Sequence, residues 1–235
     1  MPTSSATRAG KKSYEQHCPV ARALDVLGGR WTLLVVRDLL MGPKRYTDLR
    51  EGLPGIPTDL LTARLRTLEA AGFVARRKLS PPAPATVYAL TDAGRRLGPA
   101  VLALGKAGLE RLGAPGPAED VRAEREVLAL RLSFRRAEWP ELAETYQLRI
   151  DGEPYVVSVD HGAVEATRGL APDPAITLTT DARTFVALLL HDVTAADALA
   201  QGSVELEGEL PAIERFLDAF AYPSAGRRPA PPVAV

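Results

Sequence analysis

With one cysteine, Cys18, in 235 residues, no disulfide can form within the chain. A bridge between two copies or a covalent adduct is all that thiol chemistry leaves open. Histidine is nearly as scarce. None of His17, His161 and His191 has a partner at metal-ligand spacing, and His161 precedes Gly162 in what reads as a turn tip, so no metal is expected. No glycine-rich loop follows a strand to open a helix, and no nucleophile sits beside a base, so neither an enzyme nor a cofactor is expected. Glu205, Glu207 and Glu209 alternate along one strand and its exit, which gives a solvated face rather than an acid–base pair. No apolar run is long enough to span a membrane, and "MPTSSATRAGKKS" lacks the apolar core of a signal peptide. The expected location is the cytoplasm, with no membrane partner.

Net charge is also missing, but the balance conceals a split. Residues 1–112 carry 18 Lys+Arg against 9 Asp+Glu, and residues 113–235 carry 11 against 20. A basic half joined to an acidic half points to a polyanion partner for the first half only. The split falls at "GAPGPAED", Gly113 to Asp120, whose glycine and proline content reads as a linker. The strong preference for Arg over Lys and the richness in Ala, Gly and Pro suggest a GC-rich bacterial genome.

The most informative stretch is "TDLLTARLRTLEAAGFVARRKLS", Thr58 to Ser80. Leu61, Leu65 and Leu68 recur at i, i+4 and i+7, the spacing of a helix with one buried face. The other face carries Asp59, Thr62, Ala63, Arg66 and Thr67, with Arg64 on its flank; these short or cationic side chains suit close approach to another surface. Thr58, after Pro57, is expected to N-cap this helix, and Gly72 to end it. After Gly72 the period becomes two, the proline-rich "PPAPA" interrupts, and "TVYALT" resumes strand chemistry, so the segment reads as a basic hairpin. Upstream, "RWTLLVVRDLLMGPKRYTDLREGLPGIPTDLL" supplies a buried helix from Trp31 to Leu40, a short helix opening at Thr47, and a tight turn into the helix at Thr58. Two short helices, a turn and a basic hairpin make a winged helix-turn-helix.

These residues carry a family resemblance. "CPVARALDVLGGRW", "PKRYTDLR", "LPGIPTDLLTARLRTLEAAGFV" and "YALTDAGR" occur in order over about residues 17 to 110 and resemble the HxlR-type branch of MarR-like winged-helix regulators. The resemblance implies a homodimer paired through the first helix, Val20 to Leu27, and the long helix "TDAGRRLGPAVLALGKAGLERL" with its Leu97, Val101, Leu104 and Leu112. It also implies double-stranded DNA, a palindromic operator with recognition helices about 34–36 Å apart, as partner. Thr62, Ala63 and Arg66 would lie nearest the base edges, and Arg76, Arg77 and Lys78 would bring the wing to the flanking backbone. Lys44, Arg45 and Thr47 would grip phosphates. Some such regulators use a cysteine before the first helix to sense oxidants or electrophiles; Cys18 stands there, and a small apolar interface residue is its other reading.

The acidic half gives a helix over Arg122 to Arg135, a three-stranded meander turning at Asp151-Gly152 and His161-Gly162, a strand "PAITLTT", two helices, a strand "SVELEG" and a closing helix "ELPAIERFLDAF". This α+β order resembles the sterol-carrier-protein-like fold. The resemblance implies an apolar cavity, lined by Trp139, Tyr155, Phe185, Leu188, Leu189, Phe216 and Phe220; a filled core would use the same residues.

The expected organisation is a disordered arm (1–16), a winged-helix domain (17–112), a linker (113–120), a sterol-carrier-like α+β domain (121–222) and a disordered tail (223–235). The expected function is a homodimeric repressor that answers to a bulky apolar or aromatic effector. Two alternatives stand: a DNA-binding regulator whose second domain serves only dimerisation or protein interaction, with sensing at Cys18, and a lipophile carrier or interaction protein that binds no DNA.

Overall fold

The computed structural model describes residues 13–79 and 85–223. Most of the expected arm and tail, and Pro81 to Pro84 of the wing tip, lie outside the described residues. The chain divides into two compact units, 1–101 and 102–235. The boundary falls inside a helix, and the expected linker, Gly113 to Asp120, belongs wholly to the second unit.

The first unit opens with α1 (Pro19–Leu27) and α2 (Thr32–Leu40), followed by β1 (Lys44–Arg45), α3 (Tyr46–Gly52), α4 (Thr58–Ala70), β2 (Val74–Leu79), β3 (Ala85–Leu90) and α5 (Asp92–Arg95); α6 (Gly98–Leu109) crosses into the second unit. Leu61, Leu65 and Leu68 of α4 are fully buried, packed with Val35, Val36 and Leu39 of α2, Leu49 of α3, and Val74 and Leu90 of the sheet. Burying each such side chain is worth about 1.5–3 kcal/mol, which fixes the face of α4 that turns inward. At its C-terminus the Phe73 N–H bonds to the Leu68 carbonyl and the Gly72 N–H to the Glu69 carbonyl, with Gly72 left-handed at φ 75°, a Schellman closure.

Three boundaries differ from expectation. Pro57, extended at φ −62° and ψ 141°, is the N-cap of α4, so Thr58 is the first helical residue and its hydroxyl caps nothing. Helix α3 opens at Tyr46 rather than Thr47, because Arg45 takes the N-cap position and its N–H donates to the Asp48 carboxylate at 2.8 Å. The long helix after the wing is broken into α5 and α6. Pro99, at the second position of α6, has no N–H to bond back to the preceding turn. The wing also gains a strand that sequence period did not announce: β1 pairs antiparallel with β3, giving the order β1-β3-β2.

The second unit holds α7 (Ala123–Ser133), β4 (Ala143–Ile150), β5 (Glu153–Asp160), β6 (Ala163–Arg168), β7 (Thr177–Thr180), α8 (Ala182–Leu189), α9 (Ala195–Ala200), β8 (Val204–Glu207) and α10 (Leu210–Phe220). Its sheet runs β6-β5-β4-β7-β8, with β4 and β7 parallel and every other pair antiparallel. Asp151 and His161, each left-handed and followed by a left-handed glycine, make the two hairpin turns that the sequence announced. Tyr146, Leu148 and Ile150 point to the side that α7, α8 and α10 fill, while Thr145 and Arg149 alternate to the open side. Gln147 also lies on that side but is buried, its amide bonded to the carbonyls of Leu148, Tyr155 and Gly169 and to the Ala171 N–H.

The segment read as a linker is held down. Arg183 of α8 donates to the carbonyl oxygens of Gly116, Pro117 and Glu119, the last at 2.6 Å, and the Glu119 carboxylate accepts from the Gly116 N–H.

Candidate nucleic-acid interface

The buried leucine row of α4 leaves Asp59, Ala63 and Arg66 exposed and Thr62, Arg64 and Thr67 half-buried. These side chains are not equally available. The Thr62 hydroxyl donates to the Thr58 carbonyl at 2.9 Å and lies 3.2 Å from the Tyr46 hydroxyl, which donates to the same carbonyl. Tyr46, which sequence reasoning passed over, thus ties α3 to the first turn of α4. The Arg64 guanidinium turns away from the exposed side: Nε donates to the Arg30 carbonyl at 3.1 Å. Arg66 has no hydrogen bond or ion pair among the described residues.

The wing divides in the same way. Arg76 grips Glu69 of α4 with both arms, Nε 3.0 Å from one carboxylate oxygen and a terminal nitrogen 3.1 Å from the other, and its guanidinium lies over the Tyr88 ring at 5.4 Å. The bond to Glu69 raises the Arg76 pKa, so the group stays charged while spoken for. Arg77 and Lys78 are exposed and have no partner among the described residues. Lys44 is half-buried, and Arg45 and Thr47 are exposed; the Thr47 hydroxyl donates to Asp48 at 3.3 Å. Because the Asp48 carboxylate already accepts the Arg45 N–H, the start of α3 has its anion built in.

The α1–α2 turn beneath Arg64 is unusual. Trp31 is left-handed at φ 76°, a conformation costing a non-glycine residue about 1–2 kcal/mol, and the Arg30 guanidinium lies over its ring at 5.6 Å. Cys18 is half-buried at the N-cap of α1, just before Pro19.

Exposed apolar side chains mark two helices. Val20 (66% exposed) and Leu24 stand out from α1, and Leu104 (59%) from α6, with Leu112 beyond it. Leu97 and Val101, grouped with them from sequence, instead pack against the core of the first unit.

Of the seven residues expected to line an apolar cavity, Tyr155, Phe185, Leu188, Leu189, Phe216 and Phe220 are fully buried, and Trp139 is half-buried. The rings touch one another: Phe216 lies 4.9 Å from Phe220 and 4.8 Å from Tyr146, and Phe220 lies 5.3 Å from Phe134. Burial pushes the Tyr155 hydroxyl up to about 12. A cleft of about 450 Å³ elsewhere in this unit is lined by Gln147, Arg149, Leu170, Thr177 and Glu207 among others, and by none of the seven. Among the described residues no cluster of His, Cys, Asp or Glu is arranged to hold a metal, and no helix is long and apolar enough to cross a membrane.

Comparison with known proteins returns two family models. One, described as HxlR-like helix-turn-helix, matches residues 26–114; the other, described as alkyl sulfatase C-terminal, matches residues 125–225. The HTH-type transcriptional regulator sll1512 of Synechocystis sp. is 38% identical over 95 residues, 40% of this chain and 70% of that protein. YybR of Bacillus subtilis, also an HTH-type transcriptional regulator, is 40% identical over 88 residues, 37% of this chain and 70% of its own length. The solved reduced form of the transcriptional regulator YodB from B. subtilis is 33% identical, covering 43% of this chain and 99% of that one, at a TM-score of 0.36. On the strength of the winged fold over the matched residues and of relatives aligned along most of their own length, the chain belongs to the HxlR-like helix-turn-helix family of transcriptional regulators.

Proposed function

We propose that this DNA-binding regulator is a homodimeric repressor that reads a palindromic operator with the exposed side of α4, Ala63 and Arg66 at the base edges and Arg77 and Lys78 on the backbone. The observation that carries the assignment is the sorting of cations. Arg66, Arg77 and Lys78 are exposed and unpaired among the described residues, whereas Arg64 and Arg76 are held within the protein. A free guanidinium on a helix that enters the major groove is suited to bidentate contact with guanine. Arg66→Ala should therefore cost about 1–3 kcal/mol of operator binding and relax sequence preference. Lys78→Ala should weaken all sequences alike and flatten the salt slope by about 0.9. If both variants bind and discriminate like wild type, the surface is wrongly assigned.

Dimerisation through α1 and α6 is supported by the apolar side chains that each leaves exposed on its own unit, Val20 and Leu24 on α1 and Leu104 on α6 with Leu112 beyond it. Sedimentation at micromolar concentration tests it, and a monomer that still bound a palindrome tightly would count against pairing. A covalent link between two copies through Cys18 is the redox form of the same proposal; an oxidant-dependent band on a non-reducing gel, lost in Cys18→Ser, is its test.

For the second unit the interlocked rings of Phe216, Phe220 and Tyr146 favour a filled interior over an apolar chamber. An effector entering there would have to part them. Its role in this proposal is thus oligomerisation or partner binding, one of the two alternatives the sequence left. An apolar host-cell extract that shifted the full chain's DNA affinity would restore the sensor assignment.

A further inference from the structure

Arg64 sits on α4 beside the residues proposed to read DNA, yet its end group reaches across to the turn between α1 and α2. Nε donates to the Arg30 carbonyl, and the guanidinium lies flat against Gly29. A methyl group on residue 29 would come within 2.7 Å of Cζ and 2.9 Å of both terminal nitrogens. Gly29 is not among the residues with positive φ, so what its missing side chain supplies is space for the arginine. The left-handed Trp31 that follows turns the intervening peptide, and Arg30 is itself fixed over the Trp31 ring.

We propose that Arg64 is a positioning residue, which locks the rotation of α4 to the α1–α2 turn and so carries any displacement of α1 to the DNA-reading side. The inference rests on the proposed assignment of that side to DNA. Its physical basis is directional. The leucine row of α4 sets which face turns inward, but the hydrophobic term that holds it is non-directional and specifies no contact with a particular backbone atom. A hydrogen bond to a fixed carbonyl, with a planar group seated in a slot that lacks a Cβ, has one orientation. Because α1 bears the exposed Val20 and Leu24, a change in how two copies pair there would reach α4 by two routes, the core that Leu27 of α1 shares with the leucine row and this bond, and only the bond sets the roll of α4 directly.

The clamp can be broken from either side. Arg64→Ala removes the guanidinium; Gly29→Ala evicts it while keeping its charge, and displaces only the end of a flexible side chain. Affinity is measured for a duplex enriched from random-sequence DNA by the wild-type protein and for a scrambled duplex of equal length, over a range of salt. Each single variant should lower the ratio of the two affinities about tenfold, on the scale of one base contact. The double variant should discriminate within roughly twofold of either single, the signature of one shared interaction. Salt slopes should stay at the wild-type value. Gly29→Ala with a wild-type ratio overturns the proposal, as does an Arg64→Ala slope flattened by about 0.9, which would make Arg64 a phosphate contact. Should Arg64→Ala fail to fold, Gly29→Ala still decides. Arg66→Ala separates the two levels: if it keeps the wild-type ratio, the assignment of α4 to DNA falls and the clamp with it, whereas if it loses the ratio while Gly29→Ala keeps it, only the clamp falls.

Discussion

Arg64, Arg66 and Arg76 are interchangeable in a charge count and different in what they touch. Sequence placed all three at the DNA because each lies on a basic helix face or strand. It did not show that Arg64 would meet a carbonyl 34 positions away, or that Arg76 would find Glu69 and the Tyr88 ring. Helical period reports which side of α4 is buried; it does not report which exposed cations are already neutralised across the fold. Asp181 shows the complementary case, a local role written in local sequence. It caps α8 by accepting from the Arg183 and Thr184 N–H groups and the Thr184 hydroxyl. Burial alone would raise its pKa, but those donors outweigh burial and hold the carboxyl below its ordinary value. A depressed carboxyl contributes stability that is present above the unfolded pKa, near 3.9, and lost as pH falls through the folded one. Asp181→Ala should therefore cost about 1 kcal/mol in urea unfolding of the second unit at pH 7, and the gap to wild type should narrow below about pH 4. An equal gap at pH 7 and pH 3 would rule out the ionised cap as its source.

Among the elements, the wing depends on a corner that sequence described only as a helix entry. The Thr91 hydroxyl donates to the Gly72 carbonyl at 2.6 Å, accepts from the Gly94 N–H at 3.1 Å, and so joins the end of α4, the base of the hairpin and the start of α5. A Cβ on Gly94 would collide with the Phe73 carbonyl, which is backbone and cannot swing aside. Gly94→Ala should thus destabilise the first unit by about 1–3 kcal/mol or more, seen as a lower thermal midpoint, with the base of the wing losing amide protection first. A midpoint unchanged from wild type would mean that α5 packs less closely than described. What was legible here followed from strong signals: the leucine spacing of α4, the left-handed Gly72, and Asp-Gly and His-Gly at the meander turns. What was hidden had no period to show. Strand β1 is two residues long, and the parallel insertion of β7 between β4 and β8 is a matter of long-range pairing. The sequence motif over α5 and α6 looked continuous because its apolar spacing continues across Pro99.

At the scale of the whole molecule, a net charge of zero is the sum of a basic first half and an acidic second half. Glu205 and Glu207 stand exposed on β8, opposite Thr179 and Thr177 of β7, on the open side of the second sheet. Charge of this sign repels a phosphate backbone at long range, and the repulsion is screened within about 10 Å at 0.1 M salt. Converting both residues to glutamine should raise the association rate with DNA by roughly two- to threefold at low salt and leave it unchanged near 1 M, where the screening length is only about 3 Å. A rate gain that persisted at high salt would point to a local structural effect instead. The bonds from Arg183 to the segment before α7 give the chain one more property. Proteases cut where the backbone is exposed and pliable, and the carbonyl of Glu119, next to the bond that a glutamate-specific endopeptidase would cut, is the one Arg183 holds most tightly. Brief digestion of the native protein should therefore spare Glu119, although the bond is a substrate by sequence. Arg183→Ala should allow a cut after Glu119, seen as two bands on a denaturing gel, at a rate that reports how often the strap lets go.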